Sequence, residues 1–173
     1  MPSWRPVRLV AGLGSPGQLN IPFPMNRLRE FTSGEIASLV QQWLDVYGRD
    51  RQGVDARAYM WHIFSSGRYP ALEGEQALAE YGRQICCEFV ILSNDLDEAY
   101  LADSRPEDRP FSDFYVFPPN LAWTMAFTHE EGWLGPYFAQ HPHYADLNPA
   151  NIARVKKQEE IAHARSQGWL QTP

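Results

Sequence analysis

Residues 113–138, with the sequence DFYVFPPNLAWTMAFTHEEGWLGPYF, form the stretch that decides the fold. The stretch contains eight Phe, Trp or Tyr residues and three prolines, and between its first residue and His129 it carries no ionisable side chain other than tyrosine. Aromatic and β-branched residues favour strands, and aromatic side chains supply large areas for burial. We therefore predict that the rest of the chain packs against this stretch.

Turn residues divide the stretch into three strands. Pro118–Asn120 ends the first, because proline donates no hydrogen bond to a ladder and Asn tolerates turn geometry. Glu131 and Gly132 give a second turn signal. The pattern predicts an antiparallel meander with strands within residues 114–117, 121–129 and 134–139.

Length and charge narrow the classes of function. A chain of 173 residues is long enough for one domain with a sizeable core. The net charge of −6 argues against a nucleic-acid-binding protein, because phosphate neutralisation requires clustered Lys and Arg. An acidic surface instead favours basic partners.

The cysteines and the apolar runs predict a cytoplasmic protein. Cys86 and Cys87 are adjacent and are the only cysteines of the chain, a pairing that is geometrically poor for an ordinary disulfide. Residues 9–13 are too short an apolar run for a signal-peptide core, and no run reaches the ~20 residues of a membrane helix. We expect no membrane association.

A helix over residues 35–47 is the clearest single element. Thr32 and Glu35 have the spacing of a capping box, with Ser33 as a competing cap. Apolar residues then recur at three- and four-residue spacing, and Gly48 suits the helix end. The pattern predicts a helix that packs one apolar face on the core.

The remaining segments complete an α+β domain over residues 31–173, preceded by a Pro- and Gly-rich extended arm over residues 1–30. We predict a mixed or antiparallel sheet packed by two to three helices. The other predicted elements are a strand over Tyr59–Ser65, a helix over Leu72–Gln84, a central strand over Ile85–Leu92, a polar connection over Asn94–Asp113 that begins with a helical turn, and a peripheral C-terminal helix over residues 149–167 that starts at Asn148 and Pro149.

Four residues are candidates for acid–base chemistry. His129 and Glu130 lie at the end of a predicted strand, where side chains can converge on a cleft, and His62 is placed to face them from the neighbouring strand. Asp113 is the fourth candidate of this enzyme hypothesis. A structural role for His129 in a turn, and a core role for His62, are the competing interpretations. The chain has no HExxH, GxSxG, Walker or paired-Cys motif, so we predict no metal site and no cofactor.

A second set of residues suits a protein partner. The polar connection contains Asp95, Asp97, Asp103 and Asp108, which form either a solvated loop or a docking patch for a basic partner. Trp133 and Tyr137 are candidate anchors, since Trp and Tyr dominate interface energetics, although most aromatic residues of this stretch are expected in the core.

Six short motifs occur in a fixed order along the chain. They are WHIFS at 61–65, LEGEQA at 72–77, DFYVF at 113–117, WT at 123–124, FTHE at 127–130 and GPYF at 135–138. Together they resemble a family of small bacterial cytosolic proteins known as domain of unknown function 4275, over about residues 35–138. The resemblance implies a single α+β domain of bacterial origin, and it supplies no catalytic residues.

The function favoured by these features is protein binding. We predict a non-enzymatic immunity protein that neutralises a cognate bacterial toxin with a basic surface. Two alternatives stay open at this point. The first is a small hydrolase or metal-dependent enzyme using His129, Glu130, His62 and Asp113, and the second is a regulatory module whose groove takes a peptide or a small molecule.

Overall fold

A computed structural model describes residues 25–130 and 132–169. These residues form one seven-stranded sheet, in which all pairs are antiparallel, and four helices. The predicted α+β fold is confirmed, and the sheet is antiparallel. In chain order the elements are β1 (Arg27–Glu30), α1 (Ser33–Tyr47), α2 (His62–Ser65), β2 (Leu72–Glu73), α3 (Gly74–Arg83), β3 (Phe89–Ser93), β4 (Ala99–Ala102), β5 (Phe114–Phe117), β6 (Trp123–Phe127), β7 (Tyr137–Gln140) and α4 (Tyr144–Ser166).

The predicted meander is the second half of this sheet. The strand order is β1-β4-β3-β5-β6-β7-β2, so β5, β6 and β7 are neighbours in space as they are in sequence. Phe114 lies opposite Phe127, and Ala126 lies opposite Tyr137. The short turns between these strands leave antiparallel pairing as the only compact arrangement.

Both faces of the sheet are covered. In β3, Val90 and Leu92 belong to one core cluster and Phe89 and Ile91 to the other, as expected when successive side chains point to opposite faces. The prediction of a central strand is confirmed, although β3 begins at Phe89. Helices α1 and α2 cover the first face, and α3 with the start of α4 covers the second.

The capping box of α1 is present as predicted. Thr32 Oγ1 accepts a hydrogen bond from Glu35 N at 3.4 Å, and Glu35 Oε2 accepts one from Thr32 N at 2.8 Å. The helix ends at Gly48, whose amide donates to Leu44 O. Trp43 is fully buried and donates from Nε1 to Thr124 Oγ1, so the apolar face of α1 is fixed to β6.

The predicted strand over Tyr59–Ser65 is wrong. The segment forms turns followed by the short helix α2. Met60, Ile63 and Phe64 are buried together, which is the three- and four-residue spacing of one helical face and not the alternation of a strand. Burial of these side chains overrides the strand preference of the aromatic residues.

Two predictions on either side of the central strand also need correction. The connection over 94–113 contains no helical turn at its start; it contains β4, which pairs with β3 and β1. The last residues of the predicted arm, Arg27–Glu30, form β1 at the sheet edge. Residues 1–24, which hold most of the predicted arm, lie outside the described residues.

The predicted helices are confirmed with shifted bounds. Helix α3 covers Gly74–Arg83, because Leu72 and Glu73 pair with β7 as β2 before the helix begins. Helix α4 begins at Tyr144, so Pro149 lies inside it and not at its first position. Among the described residues, no helix is both long and apolar enough to cross a bilayer.

The two ends of the sheet gather different loops. At one end lie residues 94–98 between β3 and β4, Asp113 before β5 and residues 128–130 after β6, and we call this the Asp113 end. At the other end lie residues 118–122 between β5 and β6 and residues 141–143 after β7, and we call this the Asn120 end.

Candidate functional site

An Asp–His pair lies at the Asp113 end. His129 Nδ1 is 2.8 Å from Asp113 Oδ2 and 3.1 Å from Asp113 Oδ1. The two residues are brought together by the register of β5 and β6, which places the residue before Phe114 next to the residues after Phe127. The structure thus brings together two of the four residues named as acid–base candidates, His129 and Asp113.

Asp113 is the buried member of the pair. Its side chain is 7% exposed, and Oδ1 also accepts hydrogen bonds from Trp61 Nε1 at 3.1 Å and from His129 N at 3.0 Å. Buried carboxylates require such donors, because desolvation of an unpaired charge costs several kcal/mol or more. The Trp61 indole and the turn after β6 therefore hold this carboxylate in place.

The orientation of the His129 ring follows from its partner. A carboxylate only accepts hydrogen bonds, so Nδ1 carries the hydrogen and the neutral ring presents Nε2 as an acceptor. The side chain is 42% exposed, and Nε2 is 3.7 Å from Glu130 Oε1, beyond hydrogen-bond reach. The pair thus offers one oriented imidazole nitrogen at the protein surface.

His62 does not contact His129 directly. Its ring centroid lies 5.3 Å from that of Tyr59, and Tyr59 lies 5.5 Å from His129. Trp61 packs edge-on against His62 at 4.4 Å. Tyr59 therefore links the two imidazoles through ring contacts, a role that sequence reasoning missed because Tyr59 was assigned to a strand.

A buried hydroxyl supports the segment that carries Trp61. Tyr115 Oη donates to Asn94 Oδ1 at 2.8 Å and accepts from Trp61 N at 3.1 Å. Asn94 Nδ2 donates in turn to Ala58 O at 2.9 Å. Complete burial raises the pKa of Tyr115 far above its ordinary value, so the hydroxyl keeps the hydrogen that it donates.

An acidic cavity opens beside the pair. It has a volume of about 340 Å³, and the carboxylates of Asp95, Asp97, Glu98 and Asp113 line it together with Tyr59. Asp95, Asp97 and Glu98 are exposed, and Ser93 Oγ donates to Asp97 Oδ1 at 2.8 Å. The turn between β3 and β4 thus concentrates negative charge at the Asp113 end.

The comparisons with known proteins identify the family. The family model described as Domain of unknown function (DUF4275) matches residues 38–138. The chain belongs to this family. The match contains every residue of the Asp–His pair and of the acidic cavity, and it ends within β7. No curated protein and no solved structure matches the chain.

The DUF4275 domain separates the predicted partner-binding residues. Asp95 and Asp97 lie together at the Asp113 end, whereas Asp103 follows β4 at the opposite end and accepts hydrogen bonds from Asn26. Asp108 is exposed in the loop that connects β4 to β5. The predicted aspartates are therefore not one patch.

The two predicted aromatic anchors differ in their exposure. Trp133 is 85% exposed in the loop between β6 and β7, at the Asp113 end. Tyr137 is 3% exposed, and its hydroxyl donates to Glu73 Oε1 at 3.0 Å. Only Trp133 offers its ring to a partner, because the Tyr137 ring belongs to the core.

The other His and Cys side chains of the described residues do not form a metal site. Within residues 25–130 and 132–169, no three His, Cys, Asp or Glu side chains are arranged to hold a metal ion. His141 Nδ1 accepts the His143 amide, and the ring centroids are 5.6 Å apart. Burial raises the pKa of Cys86, which disfavours its thiolate.

Proposed function

We propose that this protein is a non-enzymatic binding protein of the bacterial cytoplasm, most concretely an immunity protein that occludes a cognate toxin. The observation that supports the proposal best is the acidic cavity at the Asp113 end. Three exposed carboxylates, those of Asp95, Asp97 and Glu98, line it beside the Asp113–His129 pair. The toxin surface that fits this end is basic.

The Asp113 end combines exposed acids with an exposed aromatic ring, which are two components of a tight interface. Exposed acids steer a basic partner toward the surface and fix its orientation, which raises the association rate. Trp133, with 85% of its surface exposed, supplies an aromatic anchor of the type that dominates binding energy. A basic toxin that covers both features is held by charge at the cavity and by apolar burial at the indole.

The surroundings of His129 favour binding over nucleophilic catalysis. The hydrogen bonds of the ring within the described residues go to Asp113 through Nδ1. A Ser or Cys nucleophile would have to lie within reach of Nε2. Cys86 and Cys87 precede β3, whose first residue lies at the Asn120 end. The thiols therefore lie at the end of the sheet opposite to His129.

The proposal is tested by the gene beside that of this protein and by its product. We expect a toxin-domain gene next to it, and we expect co-expression of this protein to restore growth of cells that produce that toxin. His129→Ala should retain the protection, because occlusion requires a surface and not an oriented imidazole. Failure of the wild-type protein to bind or neutralise the neighbouring toxin would contradict the proposal.

A second candidate function rests on one specific observation, the Asp113–His129 geometry. A buried carboxylate that orients an exposed imidazole is also the arrangement of a general base, with Nε2 accepting a proton from water or substrate. In that case His129→Ala would abolish the biological effect while the protein stayed folded. Loss of effect in His129→Ala with unchanged partner affinity would favour this enzyme over the immunity protein.

A further inference from the structure

A second cavity lies away from the Asp113 end. It is a cleft of about 710 Å³ between residues 69–72 and β7, with Glu80 of α3 on one wall. Clefts of this size with mainly apolar lining are typical of ligand sites. The side chains and backbone that form it belong to Tyr69, Ala71, Leu72, Glu80, Phe138 and Gln140.

The cleft opens because the ladder between β2 and β7 stops early. Leu72 lies opposite Phe138 and Glu73 opposite Tyr137, so Pro70 is the residue that would lie opposite Gln140. A proline has no amide hydrogen to donate to the Gln140 carbonyl. Tyr69 Oη donates to that carbonyl instead, at 2.6 Å, and the chain separates from β7 at this point.

One backbone donor on the cleft wall has no strand partner. The His141 amide donates to Ala122 O, so the alternation of an antiparallel strand directs the Gln140 amide to the opposite side, away from β6. Strand β2 pairs with β7 only at Tyr137 and Phe138. Within residues 25–130 and 132–169, the Gln140 N–H therefore has no strand partner and can bind a carbonyl placed in the cleft.

The charges on the cleft walls disfavour an acidic ligand. Glu80 is the lining residue with a formal charge, and its carboxylate accepts hydrogen bonds from Arg83 Nη1 at 3.1 Å and Gln84 Nε2 at 2.9 Å. Burial, with His143 and Arg49 nearby, lowers the pKa of His141, which keeps this ring neutral at pH 7. No cation of the lining is available to a carboxylate.

We propose that the cleft binds an extended, uncharged peptide segment of a partner protein, with one peptide carbonyl on the Gln140 amide and an apolar side chain against Leu72, which is 39% exposed. An exposed strand edge with an adjacent apolar pocket is the geometry of peptide recognition by strand addition. This site is separate from the proposed toxin surface, so either can exist without the other.

The first experiment isolates the Gln140 amide. Acetyl-alanyl-leucyl-alanine amide is titrated into the protein, and backbone amide shifts are followed by NMR. We expect saturable shifts at Tyr69, Ala71 and Leu72 and at residues 138–141. Gln140→Pro removes the amide hydrogen at an outward-facing strand position, where proline is tolerated. It should weaken binding about two- to tenfold relative to Gln140→Ala, which keeps the amide.

The second experiment fills the cleft and does not depend on the first. Ala71→Phe should weaken binding of the same peptide about tenfold or more, whereas Ala150→Phe, an exposed position of α4, should leave it unchanged. An analogue with glutamate in place of leucine should bind more weakly than the parent peptide. The proposal is overturned by a lack of saturable binding to the wild-type protein, by equal affinities of Gln140→Pro and Gln140→Ala, or by equal affinities of the two phenylalanine variants.

Discussion

Two buried polar residues at opposite ends of the sheet have opposite surroundings. Asp113 is 7% exposed at one end, and Asn151 is 3% exposed at the other, where α4 meets the loop between β5 and β6. Both satisfy the rule that a buried polar side chain is hydrogen-bonded. They differ in where their hydrogen-bond networks lead.

The network around Asn151 joins α4 to the loop between β5 and β6. Asn151 Nδ2 donates to Asn120 Oδ1 at 3.2 Å and, within α4, to Asn148 Oδ1 at 3.3 Å. Asn120 Nδ2 donates to Leu147 O at 3.0 Å, and its Oδ1 also accepts the Ala122 amide. Each of these groups is an uncharged side-chain amide or a backbone atom.

The network at the Asp113 end leads to the surface. Asp113 orients His129, whose side chain is 42% exposed, and Asp113 also lines the acidic cavity. Burial and hydrogen bonding alone therefore do not separate a structural polar residue from a functional one. The two ends differ because the Asp113 network orients an exposed side chain beside a cavity lined by carboxylate residues.

The largest effect on stability is expected for Asp113→Ala. The change leaves Trp61 Nε1 and His129 N–H without an acceptor and should lower the free energy of unfolding by about 3 kcal/mol. Chemical denaturation measures the loss, and Asp113→Asn, which keeps an acceptor oxygen, should lose less. A loss below about 1 kcal/mol would mean that the carboxylate does not organise this end.

A smaller loss is expected for Asn151→Ala at the opposite end. Removing the amide breaks one hydrogen bond from α4 to Asn120 and one within α4 to Asn148, and should cost about 1–2 kcal/mol. The first turns of α4 should exchange amide hydrogens faster, while toxin affinity stays unchanged. Weakened toxin binding in this variant would contradict a purely structural role for Asn151.

Trp133→Ala should barely change stability. The indole is 85% exposed, so the free energy of unfolding should change by less than about 0.5 kcal/mol. The same change should weaken toxin binding by about 2 kcal/mol, measured by calorimetry, because the ring is the proposed anchor. Trp169→Ala, at a second exposed indole outside the Asp113 end, is the matched control and should leave affinity unchanged.

The smallest expected effect is a pH dependence of stability that arises from His141 at the Asn120 end. The native pKa of His141 is lowered from 6.5, mainly by burial and then by His143 and Arg49. Below this value the unfolded chain binds a proton that the native protein does not, so stability falls as the pH falls. Unfolding free energies between about pH 7 and 5 should decline more steeply for the wild type than for His141→Gln. Equal slopes for the two proteins would contradict the assignment of this pH dependence to His141.

Local signals predicted the parts of the fold that depend on neighbouring residues. The capping box of Thr32 and Glu35 and the meander with its proline-bounded turns depend on contacts within short distances in sequence, and both are present. Strand β4 was missed because Ala99–Ala102 has little strand preference of its own. It is a strand because β3 and β1 supply partners on both sides.

The candidate site was predictable in its members and not in its surroundings. His129 and Asp113 flank predicted neighbouring strands, so their convergence follows from antiparallel pairing. The acidic cavity also needs Tyr59, which depends on the turn before α2, and α2 was taken for a strand. Sequence alone likewise grouped Asp103 with Asp95, although β4 places them at opposite ends.

The most direct test of the account is a comparison of charge reversals at two places. Asp95→Lys with Asp97→Lys changes the Asp113 end, and Glu159→Lys with Glu160→Lys makes the same change in net charge on exposed α4 positions. Affinity for the cognate toxin, measured at low and at physiological salt with folding checked by denaturation, should fall about 100-fold for the first pair and no more than about threefold for the second. Equal losses for the two pairs, or unchanged affinity in the first, would contradict the assignment of the Asp113 end as the binding surface.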